Sequence, residues 1–459
     1  MSSFLKTIES YLIHGVTRSY IVRWFIISAV MGVIIGSLVW ILGKASSIIL
    51  SRVVLPILNQ GTKPPFVFTF SLSIFMKILP LLVVGHLLSY LIVTKICEEA
   101  RGSGCDIAFY NYANRRYLFR LRVPFMKVIA TLPTLSLGAS VGKEGPAVLI
   151  GASASSVVEK IFRMDLRDLK VAYVAGVASG ISAALSSPLG GTVFGIEFLR
   201  VYEIEFEILE VLYPSLVASI VSYLTTVLLS GGVISPVISL AGISLHLAIT
   251  NPWVIASFIF LGVIVGALTR VYAEVYHLFK ASFFKLKYSP IIPPIIAAIA
   301  VAFIGATTPL SITTGYTWLN SLIHYFADSI NRLNPTTYAI MILFLVVVFK
   351  IIATSITIAS GASGGMVAPT LVTGGYIGLL TFLLFKLLAP TVASQALLSI
   401  LTIAGAATLL GCVYRIPVAS ILIVSGMTET WPYTPLIALS MAVAYIVTGH
   451  WTIHPKFKH

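Results

Sequence analysis

Charge is what this chain has least of. Only 10% of its 459 residues are Asp, Glu, Lys or Arg, while 58% are hydrophobic, and the mean hydropathy is +1.00. Soluble globular proteins carry roughly 25% charged and 45–50% apolar residues, so an ordinary cytosolic enzyme is excluded and an integral membrane protein is expected. Negative charge is scarcer still: 16 acidic residues stand against 30 basic ones, a net charge of +14. In so charge-poor a chain this excess fits basic loops on the cytoplasmic side of a membrane better than nucleic-acid binding. Cysteine is almost absent. Cys97, Cys105 and Cys412 are odd in number and sit in or beside apolar segments, which argues against a disulfide framework. No signal peptide is expected either: Met1 to Arg18 is polar and mildly amphipathic, without the short apolar core of one, and is expected on the cytoplasmic face.

What the chain has is long apolar runs. Phe25 to Leu50, Ile78 to Thr94 and Trp253 to Val271 are nearly free of charge, and Tyr338 to Thr357 is interrupted only by Lys350. Each reaches or approaches the roughly 20 residues of a membrane-crossing helix. Between Val123 and Leu199, and again between Val367 and Val447, apolar runs are cut by Gly, Pro and Ser. Broken helices inside a membrane are tolerated where they pack on protein or line a polar cavity, which favours a transporter or channel. Glycine-rich helix packing is the plainer alternative. Lys95, Arg101, Arg115, Arg116, Arg120, Arg122 and Lys127 crowd one connection, and Lys160, Arg163, Arg167 and Lys170 another. Both are expected to be cytoplasmic, whereas Asn59 to Pro65 holds only Lys63.

The chain also repeats. Gly32 to Leu38 matches Gly262 to Leu268 at five of seven positions with an offset of 230, and Ala175–Ala178 and Pro188 match Ala404–Ala407 and Pro417 with an offset of 229. Two homologous halves are expected, 1–230 and 253–459, joined by a connection over 231–252, the second ending in a short C-terminal tail. Such repeats place a transport site between the halves, near the membrane midplane.

Three glycine-rich breaks carry the candidate chemistry. In Gly142-Lys143-Glu144-Gly145-Pro146, glycines allow close backbone approach and Pro146 suits the first turn of a helix. The unpaired N–H groups of that turn form an anion site, at which Glu144 would stand as a tethered anion. A buried, capping Glu is the alternative. Gly364-Gly365-Met366-Val367-Ala368-Pro369 opens a second helix with free amides, and Gly102-Ser103-Gly104 is a third break whose Ser103 hydroxyl either donates to an anion or caps a helix. Three helix N-termini at about half a charge each offer on the order of +1.5 charges, enough to hold a monovalent anion without a fixed cation.

In this order and spacing, these three motifs resemble those of the CLC chloride channel and transporter family. The likeness extends to Ser187-Pro188-Leu189-Gly190-Gly191, Phe194, Glu197 and Arg415-Ile416-Pro417, and covers about Phe25 to Pro455. It implies an all-α polytopic membrane protein of two inverted-repeat halves built from broken, tilted helices, a homodimer with a pore in each subunit, and chloride as the transported ion. By the same resemblance Glu144 is the gating and proton-carrying residue. Ser103, Gly104, Gly142, Lys143, Gly145, Met366, Val367 and His454 are the chloride-binding set, with His454 where a pore-lining tyrosine is usual. No cofactor, metal or nucleic acid is expected, and the protein is expected in the cell membrane with both termini cytoplasmic.

Three departures bear on mechanism. Phe198 stands where proton-coupled members commonly have an inner glutamate, Asp106 where proline is usual, and Val367 where an aromatic is usual. A phenylalanine cannot relay protons, so channel and proton-coupled exchanger both remain open. Glu197 is read first as a structural hydrogen-bonding residue, and Glu203, Glu207 and Glu210 as a solvated helix face. A competing class is an intramembrane serine protease using Gly361-Ala362-Ser363-Gly364, with His450 as its base.

Overall fold

The structure, a computed structural model, describes residues 18–58, 68–200, 208–233, 237–240, 250–285, 291–330 and 337–450. Its longer helices come as eight and then eight. The first series is α1 (Arg18–Ile49, continuing through one π-turn to Leu58), α2 (Leu72–Lys95), α3 (Cys105–Ala113), α4 (Val123–Ser136), α5 (Glu144–Phe162), α6 (Leu166–Leu185), α7 (Pro188–Phe198) and α8 (Ile208–Leu229). The second is α9 (Pro252–Lys285), α10 (Ile292–Thr307), α11 (Tyr316–Asp328), α12 (Thr337–Ala359), α13 (Val367–Leu388), α14 (Gln395–Tyr414), α15 (Pro417–Thr428) and α16 (Thr434–Thr448). Among the described residues there are no strands, and nine helical stretches are long and apolar enough to cross a membrane. The four charge-poor runs of the sequence all fall within such stretches: α1, α2, α9 and α12.

Each helix of the first series has its counterpart eight places on, down to single residues. Asp165 caps α6 by accepting from the N–H of Asp168, and Ser394 caps α14 by accepting from Leu397. Both helices end on a left-handed residue, Ser186 with φ 55° and Arg415 with φ 60°. Helix α5 crosses α6 where Gly151 meets Gly176, and α13 crosses α14 where Gly374 meets Gly405. Gly32 and Gly36 of α1 lie on α8, as Gly262 and Gly266 of α9 lie on α16. Small residues let backbones touch, which is how helices adhere in a medium as apolar as their side chains. The glycine-rich segments thus serve both expected purposes: some break helices, and others pack them.

Two readings of charge are corrected by burial. Lys127 is not in a basic connection; it lies inside α4 and is fully buried. Glu210 is not on a solvated face. Both its carboxylate oxygens accept from Arg167, at 2.8 and 2.7 Å, and the residue is buried. Glu203, Glu207 and His454 lie outside the described residues.

Candidate anion site at the seam between the halves

The three glycine-rich breaks meet. Gly142 and Gly365 exchange both backbone hydrogen bonds, each 2.8 Å, as one antiparallel bridge, and the N–H of Gly364 donates to Gly102 O at 3.2 Å. Gly142 and Gly365 are themselves equivalent positions, so the bridge joins the halves through one residue of each, running in opposite directions. The contact requires glycine at 145 above all: a Cβ there would lie 2.5 Å from Ser103 O and 2.8 Å from the Gly365 Cα, touching both other motifs at once. Gly104, before α3, has φ +87°, a region that side chains disfavour. Helices α3, α5 and α13 thereby begin beside one another, and first-turn N–H groups lack acceptors within their own helices.

Side chains brace this seam in mirrored fashion. Lys127 Nζ donates to Ala100 O (2.9 Å), Gly102 O (2.8 Å) and Ser363 Oγ (2.9 Å), so a buried ammonium holds the Ser103 turn in place. Its counterpart in α12, Lys350, is also fully buried and donates to Ile312 O (3.3 Å) and Thr313 O (2.7 Å), on the turn that opens α11. Thr131 Oγ1 pairs with Ser363 Oγ at 2.8 Å, and Thr354 Oγ1 with Ser140 Oγ at the same distance. Sequence reasoning missed Tyr316, the first residue of α11. Its hydroxyl donates to Glu144 Oε1 at 3.4 Å, and it follows a left-handed glycine, Gly315, as α3 follows Gly104. That shared glycine was the available signal.

Glu144 opens α5 with its side chain 1% exposed. The carboxylate lies against the backbone of Ala368 and folds over Gly142, and among the described residues its Oε2 has no hydrogen-bond partner. The structure therefore brings Ser103, Gly104, Glu144, Gly145, Met366 and Val367 to one place. It also divides the expected set. Gly142 does not offer its N–H to an ion, because that group is bonded to Gly365 O. The Lys143 side chain turns away into a separate cavity of about 500 Å³ that it shares with Lys44 and Ser186. Ser103 Oγ accepts weakly from the Asp106 N–H at 3.4 Å, so it shows cap geometry while remaining at the convergence.

One further expectation, a structural hydrogen-bonding role for Glu197, is met by plain geometry. Glu197 caps α15, accepting from the N–H groups of Val418 (3.2 Å) and Ala419 (2.7 Å). Phe198 is sealed among aromatic rings, 4.9 Å from Phe194 and 5.6 Å from Phe109 between centroids. The protease reading fails. Among the described residues Ser363 Oγ is hydrogen-bonded to Thr131 and to Lys127, whose Nζ also donates to two carbonyls, and not to His450, the base that reading assigned.

Comparison with known proteins agrees with this geometry. The chain is 27% identical over 325 residues to the voltage-gated ClC-type chloride channel ClcB of Citrobacter koseri, covering 70% of this chain and 72% of that one. It is 25% identical over 356 residues to the H(+)/Cl(-) exchange transporter ClcA of Salmonella paratyphi A, covering 75% of this chain and 70% of the relative. Its fold matches that of a slow cyanobacterial Cl-/H+ antiporter with a TM-score of 0.77 at 20% identity, over 93% of this chain and 94% of the other. The family model described as voltage gated chloride channel matches residues 85–449. With that match spanning the glycine-rich seam and most of both halves, the chain belongs to the CLC family, one of channels and transporters rather than enzymes.

Proposed function

We propose that this protein carries chloride across the cell membrane through a pore between its two halves, gated by Glu144. The observation that carries the reading is the buried Glu144 carboxylate, with one oxygen unpartnered, at the point where helix N-termini converge. Charged, it occupies as a tethered anion the place a free anion would take. Protonated, it loses the attraction of the helix ends, its side chain leaves, and chloride replaces it. Ser103 supplies a hydroxyl donor, and the amides at Gly104, Gly145, Met366 and Val367 line the approach. The site holds the ion weakly because partial charges, not a fixed cation, face it.

A homodimer with a pore in each subunit, cytoplasmic termini and the basic faces toward the cytoplasm complete the reading, and rest on kinship and charge distribution. Relatives named as channel and as exchanger fit it equally well. The test is chloride efflux from liposomes containing purified protein. Wild-type flux should rise as pH falls through the carboxylate range, while Glu144→Gln should flow at a nearly constant rate. A Glu144→Gln variant with the wild-type pH response refutes the gate.

A further inference from the structure

A cavity of about 520 Å³ opens on the Ser103 side of the site, between α2, α3, α9, α10 and α12. An anion would enter through it, yet Asp106 stands in its wall. Asp106 Oδ2 accepts from the Tyr276 hydroxyl at 3.0 Å and lies 3.9 Å from Lys280 Nζ, with the Asp106 side chain 24% exposed. Among the described residues, the other charged or titratable groups around it are Glu98, Arg101 and Tyr90 on the cavity rim, Lys127 behind it in α4, and, beneath, the Cys105 thiol with Tyr414 beside it. A carboxylate in the first turn of a helix favours that helix. At the mouth of an anion path it also repels the cargo, so its placement asks for a second use.

That use follows from what lies behind it. The buried Phe198 side chain offers no hydroxyl or carboxyl. From Asp106, by contrast, hydroxyls lead toward the seam. Tyr276 comes first, and one turn earlier on α9 stands Tyr272, whose oxygen accepts from Thr370 Oγ1 at 3.3 Å and which has Thr354 as a neighbour. Thr354 Oγ1 is 2.8 Å from Ser140 Oγ. Ser140 is two residues before Gly142, over which the Glu144 carboxylate folds.

We propose that Asp106 is the proton-loading group on the Ser103 side, and that Tyr276, Tyr272, Thr354 and Ser140 pass the proton between it and Glu144, along a route beside the anion's own. The proposal deepens the reading of Glu144 as a protonatable gate and rests on it. Water on the Ser103 side gives one proton to the Asp106 carboxylate. Each hydroxyl accepts a proton on its oxygen and releases its own to the next, and Glu144 takes the last and yields it to water on the far side. Only O–H bonds form and break, and no electron changes hands.

The experiment uses the full chain in liposomes with an imposed chloride gradient, recording chloride and external pH together. Wild-type protein should move protons uphill against the chloride flow. Asp106→Asn should cut proton movement by about tenfold or more while chloride continues to flow, the scale of losing one proton-transfer group. Asp106→Glu should restore it. Tyr276→Phe, which keeps the ring and the packing, should lower proton movement likewise and decides the matter if Asp106→Asn fails to fold. Wild-type proton movement in Asp106→Asn overturns the proposal, as does chloride flow in the wild type with no proton movement at all. Neither result touches the gate, which falls only if Glu144→Gln keeps the wild-type pH response.

Discussion

At the scale of the residue, the proposed gate depends on an absent side chain. A Cβ on Gly142 would come within 2.1 Å of Glu144 Oε2 and 2.4 Å of the Ala368 Cβ. The space into which the carboxylate folds is thus the space a methyl group would fill. Gly142→Ala should displace the carboxylate and loosen the bridge to Gly365, at a cost of about 1–3 kcal/mol for overpacking. Two measurements follow: a lower thermal midpoint in detergent, and chloride efflux that has lost much of its pH dependence. A variant with wild-type values of both would show that Glu144 does not occupy this position. The residues hardest to read from sequence were those whose partners are backbone carbonyls. Lys127 stands near a run of arginines and so read as part of a basic loop. What makes it a core residue is the carbonyl of Gly102, brought within 2.8 Å by a turn that hydropathy does not register.

At the scale of the element, the helices adhere where glycines let backbones touch. A Cβ on Gly151 would lie 1.9 Å from Gly176 O, and one on Gly374 2.3 Å from Gly405 O. Neither obstacle is a flexible side-chain end, so the helices themselves must separate. Gly231 offers the contrast: its φ is +82° and nothing lies within 4 Å of its added Cβ. Alanine there meets only the left-handed backbone penalty of roughly 1–2 kcal/mol. Gly151→Ala and Gly374→Ala should each lower the thermal midpoint more than Gly231→Ala, and by similar amounts. Equal effects at all three positions would mean that the crossings α5–α6 and α13–α14 are looser than drawn. The long apolar runs were legible as spanning helices because their period and length suffice. Which glycines break a helix and which pack one was not legible, since both appear as small residues in apolar sequence.

At the scale of the whole molecule, the two halves are locked by reciprocal bonds, and the lock explains why the repeat was only partly visible. Gly32 and Gly262 are 230 apart and Pro188 and Pro417 are 229 apart, but Gly142 and Gly365 are 223 apart, as are Lys127 and Lys350, Thr131 and Thr354, and Ser140 and Ser363. Connections of unequal length shift the offset midway, so a search near 230 finds the ends of each half and misses the seam that holds the site. Thr131–Ser363 and Thr354–Ser140 are the same bond made twice, on either side of the Gly142–Gly365 bridge. Removing one hydroxyl leaves a buried partner short of a bond, at about 1–2 kcal/mol, so Thr131→Val and Thr354→Val should each lower the thermal midpoint. Ser363 keeps Lys127 when Thr131 is lost, so Thr354→Val should cost somewhat more. Function should separate the pair further, because the proposed proton route uses Thr354 and not Thr131. In liposomes Thr354→Val should lose proton movement, whereas Thr131→Val should retain it. Equal loss in both would mean that proton movement depends only on the integrity of the seam, whereas loss in Thr354→Val alone would show that two structurally equivalent halves perform different work.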